Sequence, residues 1–152
     1  MRLTTNEFTD GAAIPRRFTC DGEDVSPALA IESVPDGAAS LALVMDDPDA
    51  PHGTFVHWLM WNLPPDTRVI PEAVPAEKHV RELGEANQGT TDFGRIGYGG
   101  PCPPRGTHTY RLFLYALDAR LDLKAGARRA ELDDAMRPHI LAQATLRGTY
   151  AR

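Results

Sequence analysis

Apolar residues are concentrated in three runs of this chain, and these runs predict the central strands of a sheet. They are Ser40 to Asp46, Phe55 to Asn62 and His108 to Asp118. Each run has apolar side chains at both odd and even positions, which is typical of strands covered on both faces. Thirteen prolines and thirteen glycines divide the chain into short pieces. Such frequent turn residues favour a β-rich domain, so the pattern predicts a β-sandwich.

The other segments have weaker patterns. Residues 64–93 are polar and lack a clear period, which predicts a long surface connection. Residues 130–136 and 139–144 have helix-forming composition, and Pro138 between them predicts two short helical turns rather than one helix. We expect residues 145–150 to form a last strand that closes the domain.

Length and charge limit the function classes. The 152 residues predict one domain over 1–152 with a single core. The net charge is −5 and the arginines form no basic stripe, so nucleic acid is not an expected partner. No apolar run approaches the length of a membrane span, and the first residues lack the apolar stretch of a signal peptide. We therefore expect a cytoplasmic protein without membrane insertion.

Only two cysteines are present, Cys20 and Cys102. They lie far apart in the sequence and form neither a zinc-knuckle spacing nor a CxxC redox motif. Because disulfides seldom persist in the cytosol, we predict that both are free thiols in a reducing compartment.

Two of the predicted strands carry a histidine at a position where it can face a common site. Residues two apart in a strand point the same way, so His108 shares a face with Tyr110, and His57 shares one with Leu59 and Trp61. The two histidines can then meet across one sheet. The remaining histidines are expected elsewhere: His52 and His79 in solvent, and His139 at the start of a helical turn.

Loops with restricted backbones adjoin these strands. Asp47 follows the first predicted strand, where two X-Pro steps force a turn, and its carboxylate could orient a histidine. Residues 97–106 combine glycines, which allow close approach of a ligand, with prolines, which fix the path of the chain. Imidazole N–H groups, the Tyr110 hydroxyl and loop amides are all donors, a combination that suits an anion such as phosphate.

These same residues resemble the phosphatidylethanolamine-binding protein family, in particular its short bacterial branch described as Raf-kinase-inhibitor-like. The resemblance extends over nearly the whole chain. It rests on FTCDGEDVSPAL at 18–29, DPDAP at 47–51, His57-Trp58 with Trp61-Asn62, GPCPPRGTHTY at 100–110, LYALD at 114–118 and ATLRGTY at 144–150.

The resemblance implies a fold and a site. The fold would be mainly β, a sandwich of two antiparallel sheets with Greek-key connections and a few short peripheral helices. The site would be a pocket for a phosphate or a phospholipid head group, without cofactor, and the Ala50–Pro51 bond would be a candidate cis peptide. Regulation of a protein kinase or another partner, and a homodimer, are further expectations of the resemblance. The implied ligand-binding residues are Asp47, His57, Gly100, Cys102, Pro103, Pro104, His108 and Tyr110.

Several functions remain open at this point. A non-enzymatic binding protein is favoured because neither cysteine has a histidine in its motif and no serine lies in a GxSxG elbow. The main competing function is a phosphoester hydrolase in which Asp47 and the two histidines perform acid/base chemistry. A metal site formed by the same three side chains and a domain that only binds proteins are two further possibilities.

Overall fold

A computed structural model describes all of residues 1–152 and contains nine β-strands and one α-helix. Three further segments, Arg16–Phe18, Arg81–Leu83 and Arg137–His139, are 3₁₀ turns. The strands are β1 (Arg2–Thr4), β2 (Leu29–Glu32), β3 (Ser40–Asp47), β4 (Phe55–Leu63), β5 (Val69–Ile70), β6 (His79–Val80), β7 (Ala86–Gln88), β8 (Thr107–Leu117) and β9 (Ile140–Ala151), and the helix is α1 (Arg129–Met136). The three strands expected from apolar runs are confirmed as β3, β4 and β8, within one residue at each end.

The strands form two antiparallel sheets, as the sandwich prediction requires. The larger sheet has the order β6-β7-β4-β3-β8-β9, and the smaller has the order β1-β2-β5. Within the larger sheet, β3, β4 and β7 lie side by side, with the short β5 and β6 between β4 and β7 in the chain, and β8 returns by a long connection to pair with β3. The spatial order β8-β3-β4-β7 is that of a Greek key, so this part of the fold prediction is also confirmed.

The large sheet is buried on both faces. The core between the two sheets contains 22 buried residues, among them Leu43 and Met45 of β3 together with Leu29 and Ile31 of β2. A second cluster of nine buried residues covers the opposite face of the large sheet and includes two residues of α1, four positions apart in the sequence. This double coverage explains why β3 has apolar side chains at both odd and even positions.

The C-terminal region differs from its prediction. Helix α1 confirms the first helical turn, and Glu131 Oε1 accepts a hydrogen bond from the Arg128 N–H at its start (3.1 Å). The predicted second turn over residues 139–144 is wrong, because β9 begins at Ile140 and pairs with β8 over its whole length. Pairing with a long neighbouring strand outweighs the helix-forming composition of this segment. No helix of the structure has the length and apolarity to span a membrane.

Residues 64–93 do not form the irregular surface connection that their composition predicts. The segment contains β5, β6 and β7, of which β5 joins the small sheet and the others extend the large one. Gln88 at the end of β7 is completely buried. These strands are only two or three residues long, which is too short for an apolar period to be recognised, so only the three-dimensional pairing reveals them.

Candidate functional site

A cleft of about 430 Å³ opens at the end of the large sheet where β3 ends and where β4 and β8 begin. Seven of the eight predicted site residues line this cleft; Gly100 does not. Four contribute polar side chains, and three form a wall that belongs to the loop before β8. The lining residues are Asp47, His57, His108 and Tyr110, and the wall residues are Cys102, Pro103 and Pro104.

A β-bulge at the start of β4 places His57. Met45 lies opposite Trp58, but the next residue of β3, Asp46, lies opposite Val56. His57 is therefore an extra residue in β4 without a partner in β3. An extra residue of this kind changes the direction of the side chains on one side of the bulge.

The bulge turns His57 away from the face that simple alternation predicts. Leu59 and Trp61 pack in the cluster beneath α1, whereas the His57 ring lies 5.2 Å from the ring of Tyr110, a member of the core between the sheets. The expectation that His57 shares a face with Leu59 and Trp61 is thus wrong. The His57 ring contacts Tyr110 on β8 only because the bulge turns it to that face of the sheet.

His57 is a buried histidine with one ring nitrogen hydrogen-bonded to the protein backbone. Its Nδ1 lies 2.6 Å from the Gly99 carbonyl oxygen. Because a carbonyl only accepts, Nδ1 carries the hydrogen and Nε2 remains available. Burial lowers the pKa of His57, although the Gly99 carbonyl and the Asp47 carboxylate act in the opposite direction. The ring also makes edge contacts with Phe55 and Phe93, each with a centroid distance of 5.2 Å.

The lowered pKa of His57 makes folding stability sensitive to acid. Below about pH 6.5 the unfolded chain protonates this histidine while the folded protein resists protonation. We therefore expect the full stability above pH 6.5 and a loss as the pH falls, by at most about 1.4 kcal/mol per pH unit from this group. In urea unfolding between pH 7.5 and 5, His57→Asn should have a flatter pH dependence than the wild type. The exposed His79, changed to asparagine, is the control, and identical slopes for wild type and His57→Asn would contradict the prediction.

Asp47 and His108 form a buried pair. The Oδ2 atom of Asp47 lies 2.6 Å from Nδ1 of His108, and the two residues are 3% and 8% exposed. The other carboxylate oxygen of Asp47 accepts a hydrogen bond from the Asp49 N–H (2.8 Å), which forms an Asx turn at the end of β3. Asp47 thus holds the His108 ring by Nδ1 and leaves Nε2 free, as expected for an aspartate at this position of the sequence.

Tyr110 has a buried hydroxyl without a hydrogen-bond partner in the protein. The residue is 0% exposed, and its Oη atom is the one buried side-chain polar atom left unsatisfied. Burial raises the pKa of Tyr110 and the nearby Asp47 carboxylate raises it further, whereas the backbone of Cys102 acts in the opposite direction. The hydroxyl therefore keeps its proton and has a hydrogen bond to donate.

Gly100 supports the loop from behind rather than lining the cleft. Its N–H donates to Asp24 Oδ1 (2.8 Å), and a Cβ at this position would lie only 2.2 Å from the Phe18 carbonyl oxygen. The Gly99 N–H donates to the His57 carbonyl (3.0 Å). Both glycine amides therefore already have acceptors in the protein, so these two are not among the loop amides available to an anion.

The two cysteines are joined, so the prediction of free thiols is wrong. Cys20 and Cys102 form a disulfide across 82 positions of sequence, with their Cα atoms 5.4 Å apart. The Cys20 N–H also donates to the Pro101 carbonyl (3.1 Å). Sequence spacing contains no indication of this pair because the segment preceding β2 and the loop preceding β8 meet only in the folded chain.

The Ala50–Pro51 bond is trans, since the chain contains no cis peptide, and the cis prediction is wrong. The turn is closed instead by a hydrogen bond from the Gly53 N–H to the Ala50 carbonyl (3.2 Å). Gly53 has φ +108°, a conformation that suits glycine. A trans proline with its fixed φ fits the second position of such a turn.

The apolar side of the cleft was not expected from the sequence. Phe55 and Phe93 line this side. The apolar pattern predicts Phe55 only as a strand residue, and Phe93 lies in the segment predicted to be a surface connection. No pattern in that segment marked Phe93 as a site residue. Of the other histidines, His52 is exposed as expected but lines the cleft mouth. His139 ends a 3₁₀ turn rather than beginning a helix and contacts Asp118 (2.8 Å).

A metal site at the cleft finds no support in the geometry. The structure contains no group of three or more His, Cys, Asp or Glu side chains arranged to hold a metal ion. In the cleft, the Asp47 carboxylate is already used by His108 and the Asp49 amide.

Comparisons with known proteins agree with this fold. The sequence model of the phosphatidylethanolamine-binding protein family matches residues 4–151. A UPF0098 protein of Pyrococcus horikoshii is 49% identical over 147 residues, which cover 95% of this chain and 74% of the relative. A second UPF0098 protein, from Methanothermobacter thermautotrophicus, is 47% identical and covers 100% of this chain and 99% of the relative.

Two solved structures are also similar to this chain. One is the phosphatidylethanolamine-binding protein homolog CT736 of Chlamydia trachomatis, as its crystal structure is described, with 37% identity, a TM-score of 0.91 and coverage of 99% and 97% of the two chains. The other is YbcL of Escherichia coli, described as a member of the mammalian family, with 28% identity, a TM-score of 0.92 and coverage of 99% and 98%. The chain belongs to the phosphatidylethanolamine-binding protein family.

Proposed function

We propose that the cleft binds a phosphate-type anionic group carried by a small organic ligand, and that the protein is a binding protein rather than an enzyme. The observation that carries this proposal is the Tyr110 hydroxyl, which is buried beside the cleft without an acceptor. A buried donor left unpaired costs about 1–3 kcal/mol. A ligand oxygen that accepts this hydrogen bond removes the cost, so binding of an acceptor is favoured.

The two histidines are the second support for an anion site. Protein acceptors hold Nδ1 of His57 and of His108, so each ring has only Nε2 left for a ligand. When a ring is protonated, its Nε2–H donates and its positive charge attracts an anion. For His57, whose pKa is lowered by burial, binding of an anion is therefore linked to proton uptake, and the affinity should rise as the pH falls.

The size and the apolar side of the cleft indicate more than a free inorganic anion. Its volume of about 430 Å³ is in the range of small-molecule sites. Phe55, Phe93 and Pro104 line it opposite the polar side chains. These surfaces suit the organic part of a phosphate ester, such as a phospholipid head group, which is consistent with the name of the family.

Tyr110→Phe tests the proposal most directly. The change removes one hydroxyl and no packing volume, so the free energy of unfolding should stay within about 0.5 kcal/mol of the wild type or increase. The dissociation constants of phosphate and phosphoethanolamine should rise about 10- to 100-fold, because a hydrogen bond to a charged group is worth about 1.5–3 kcal/mol. Phosphorus-detected NMR titrations at pH 6 and pH 7.5 measure the effect.

Tyr115→Phe is the matched control, because Tyr115 lies on the same strand but packs with the cluster beneath α1. This variant should bind as the wild type does. If wild-type protein gave no saturable change with either ligand, or if Tyr110→Phe bound as tightly as the wild type, the anion-site proposal would be refuted.

A phosphoester hydrolase is the second candidate, and the Asp47–His108 pair favours it. An imidazole held through Nδ1 by a carboxylate presents Nε2 as a general base for water. If the protein is such a hydrolase, we expect the purified protein to hydrolyse p-nitrophenyl phosphate. The activity should be lost in His108→Gln and retained in His79→Gln. Activity that is absent, or that survives in His108→Gln, would eliminate it.

A further inference from the structure

We propose that the Cys20–Cys102 disulfide is a thiol–disulfide exchange site, and that its reduction by a dithiol loosens one wall of the cleft and weakens anion binding. This inference rests on the proposed function, because its readout is anion affinity. This wall is residues 102–104, called the proline wall below.

The disulfide is accessible and belongs to the cleft. Cys102 is exposed and lines the cleft between Pro101 and Pro103, and Cys20 is half-buried. A dissolved thiol can therefore reach this bond without unfolding of the core, unlike a disulfide enclosed between the sheets.

The disulfide is the one covalent cross-link of the proline wall. The hydrogen bonds from the Gly99 and Gly100 amides fix the chain immediately before the wall. Beyond Pro101, no backbone-to-backbone hydrogen bond holds residues 102–105, and the next such bond joins Gly106 to Arg152 (2.9 Å). Two prolines in this stretch have no N–H to donate. Breaking the disulfide therefore releases the part of the wall that faces the ligand, while the supports behind it remain.

Arg152 makes Cys102 the better leaving group in exchange. Its Nη1 lies 3.7 Å from Cys102 Sγ, and its Nη2 is held by Asp21 Oδ1 (2.7 Å). A guanidinium beside sulfur stabilises the thiolate, and a more stable thiolate leaves faster. No comparable cationic contact is present at the Cys20 sulfur. The geometry thus favours attack at Cys20 Sγ with departure of the Cys102 thiolate.

The reaction conserves atoms and electrons. One thiolate of the dithiol forms a bond to Cys20 Sγ as the Cys20–Cys102 bond breaks, which gives a mixed disulfide and a Cys102 thiolate. The second thiol of the reagent, as thiolate, then attacks the reagent's first sulfur atom in the mixed disulfide. This step closes the cyclic disulfide of the reagent and releases the Cys20 thiolate. The protein gains two electrons and two protons, and the dithiol becomes a cyclic disulfide.

The first experiment compares phosphate affinity before and after treatment with dithiothreitol, by phosphorus-detected NMR. We expect the dissociation constant to rise at least about fivefold on reduction, with the near-ultraviolet circular dichroism of the core preserved. The double variant C20S/C102S should reproduce the weaker binding and should not respond to dithiothreitol. Absence of binding in the oxidised protein would refute the proposed function itself. Binding that is equal in both states, or unfolding of the core on reduction, would refute only the exchange-site inference.

A rate measurement tests the role of Arg152 on protein that is folded at the start. We expect Arg152→Gln to slow reduction by dithiothreitol about threefold, since the leaving thiol loses its cationic neighbour. Arg105→Gln is the control, because Arg105 is exposed on the same loop and should leave the rate unchanged. An unchanged rate in Arg152→Gln, or equal slowing in both variants, would contradict the assignment of Cys102 as the leaving group.

Discussion

Replacing Asp46 with asparagine is expected to lower the free energy of unfolding by about 3 kcal/mol. Asp46 is 0% exposed and accepts two hydrogen bonds from Arg111 (2.8 and 2.9 Å) and one from Arg129 (2.6 Å). Asparagine keeps the volume but removes the buried carboxylate that lies between the two guanidinium groups, and only the partly exposed Asp133 remains in contact with Arg129. Arg111 and Arg129 are 32% and 24% exposed, so water relieves part of this penalty, and the expected loss lies at the lower end for broken buried ion pairs.

Urea unfolding at pH 7 measures this loss. Asp133→Asn is the matched control, because Asp133 also contacts Arg129 (3.3 Å) but is 39% exposed. An ion pair of that kind is worth about 0.2–1 kcal/mol, so the control should stay close to the wild type. Arg129 is the first residue of α1 and Asp46 lies on β3. A loss of less than about 1 kcal/mol in Asp46→Asn would therefore mean that this ion pair does not hold α1 against the sheet.

The second large effect is expected at Gln88, in the segment whose sequence has no recognisable period. Its Oε1 accepts from Trp58 Nε1 (2.7 Å), and its Nε2 donates to the carbonyls of Pro75 and Glu77 (both 2.8 Å). Gln88→Met keeps a similar volume but leaves the buried indole N–H and the Glu77 carbonyl without this partner, whereas the Pro75 carbonyl keeps its bond from the Glu77 N–H (2.9 Å). We expect a loss of about 2–4 kcal/mol, since each buried group left unpaired costs about 1–3 kcal/mol and water reaches part of this cluster.

Gln143→Met provides the control for this prediction. Gln143 is exposed on β9, so the same chemical change should alter the free energy of unfolding by no more than about 0.5 kcal/mol. Both variants can be compared by chemical denaturation at one pH. Equal and small losses in the two variants would show that residues 75–88 are not integrated into the fold through Gln88.

Local patterns were sufficient for the parts of the fold that depend on neighbouring residues. The apolar runs of β3, β4 and β8 predicted these strands to within one residue, since burial of both faces leaves a dense apolar signal in the sequence itself. The X-Pro steps that follow the first of these runs predict Asp47 at a strand end, and the i, i+2 relation predicts His108 and Tyr110 on one face. These relations are properties of single strands, which is why they can be predicted without coordinates.

The features that the sequence did not reveal are non-local. The bulge that turns His57 toward Tyr110 exists because the register between β3 and β4 shifts at Met45 and Asp46. The sequence of neither strand alone indicates that shift. The disulfide joins residues 82 positions apart, and β9 is extended because β8 lies beside it.

The sequence by itself therefore determined the fold class, the central strands and the residue types of the cleft, through the apolar pattern and the resemblance to a family. The tertiary structure alone decided which atoms remain free for a ligand. Whether a nitrogen or hydroxyl is available depends on whether another segment has already satisfied it, as Gly99 does for His57 Nδ1 and as no residue does for Tyr110 Oη. Such partners come from distant parts of the chain, so their presence or absence is a property of the folded molecule.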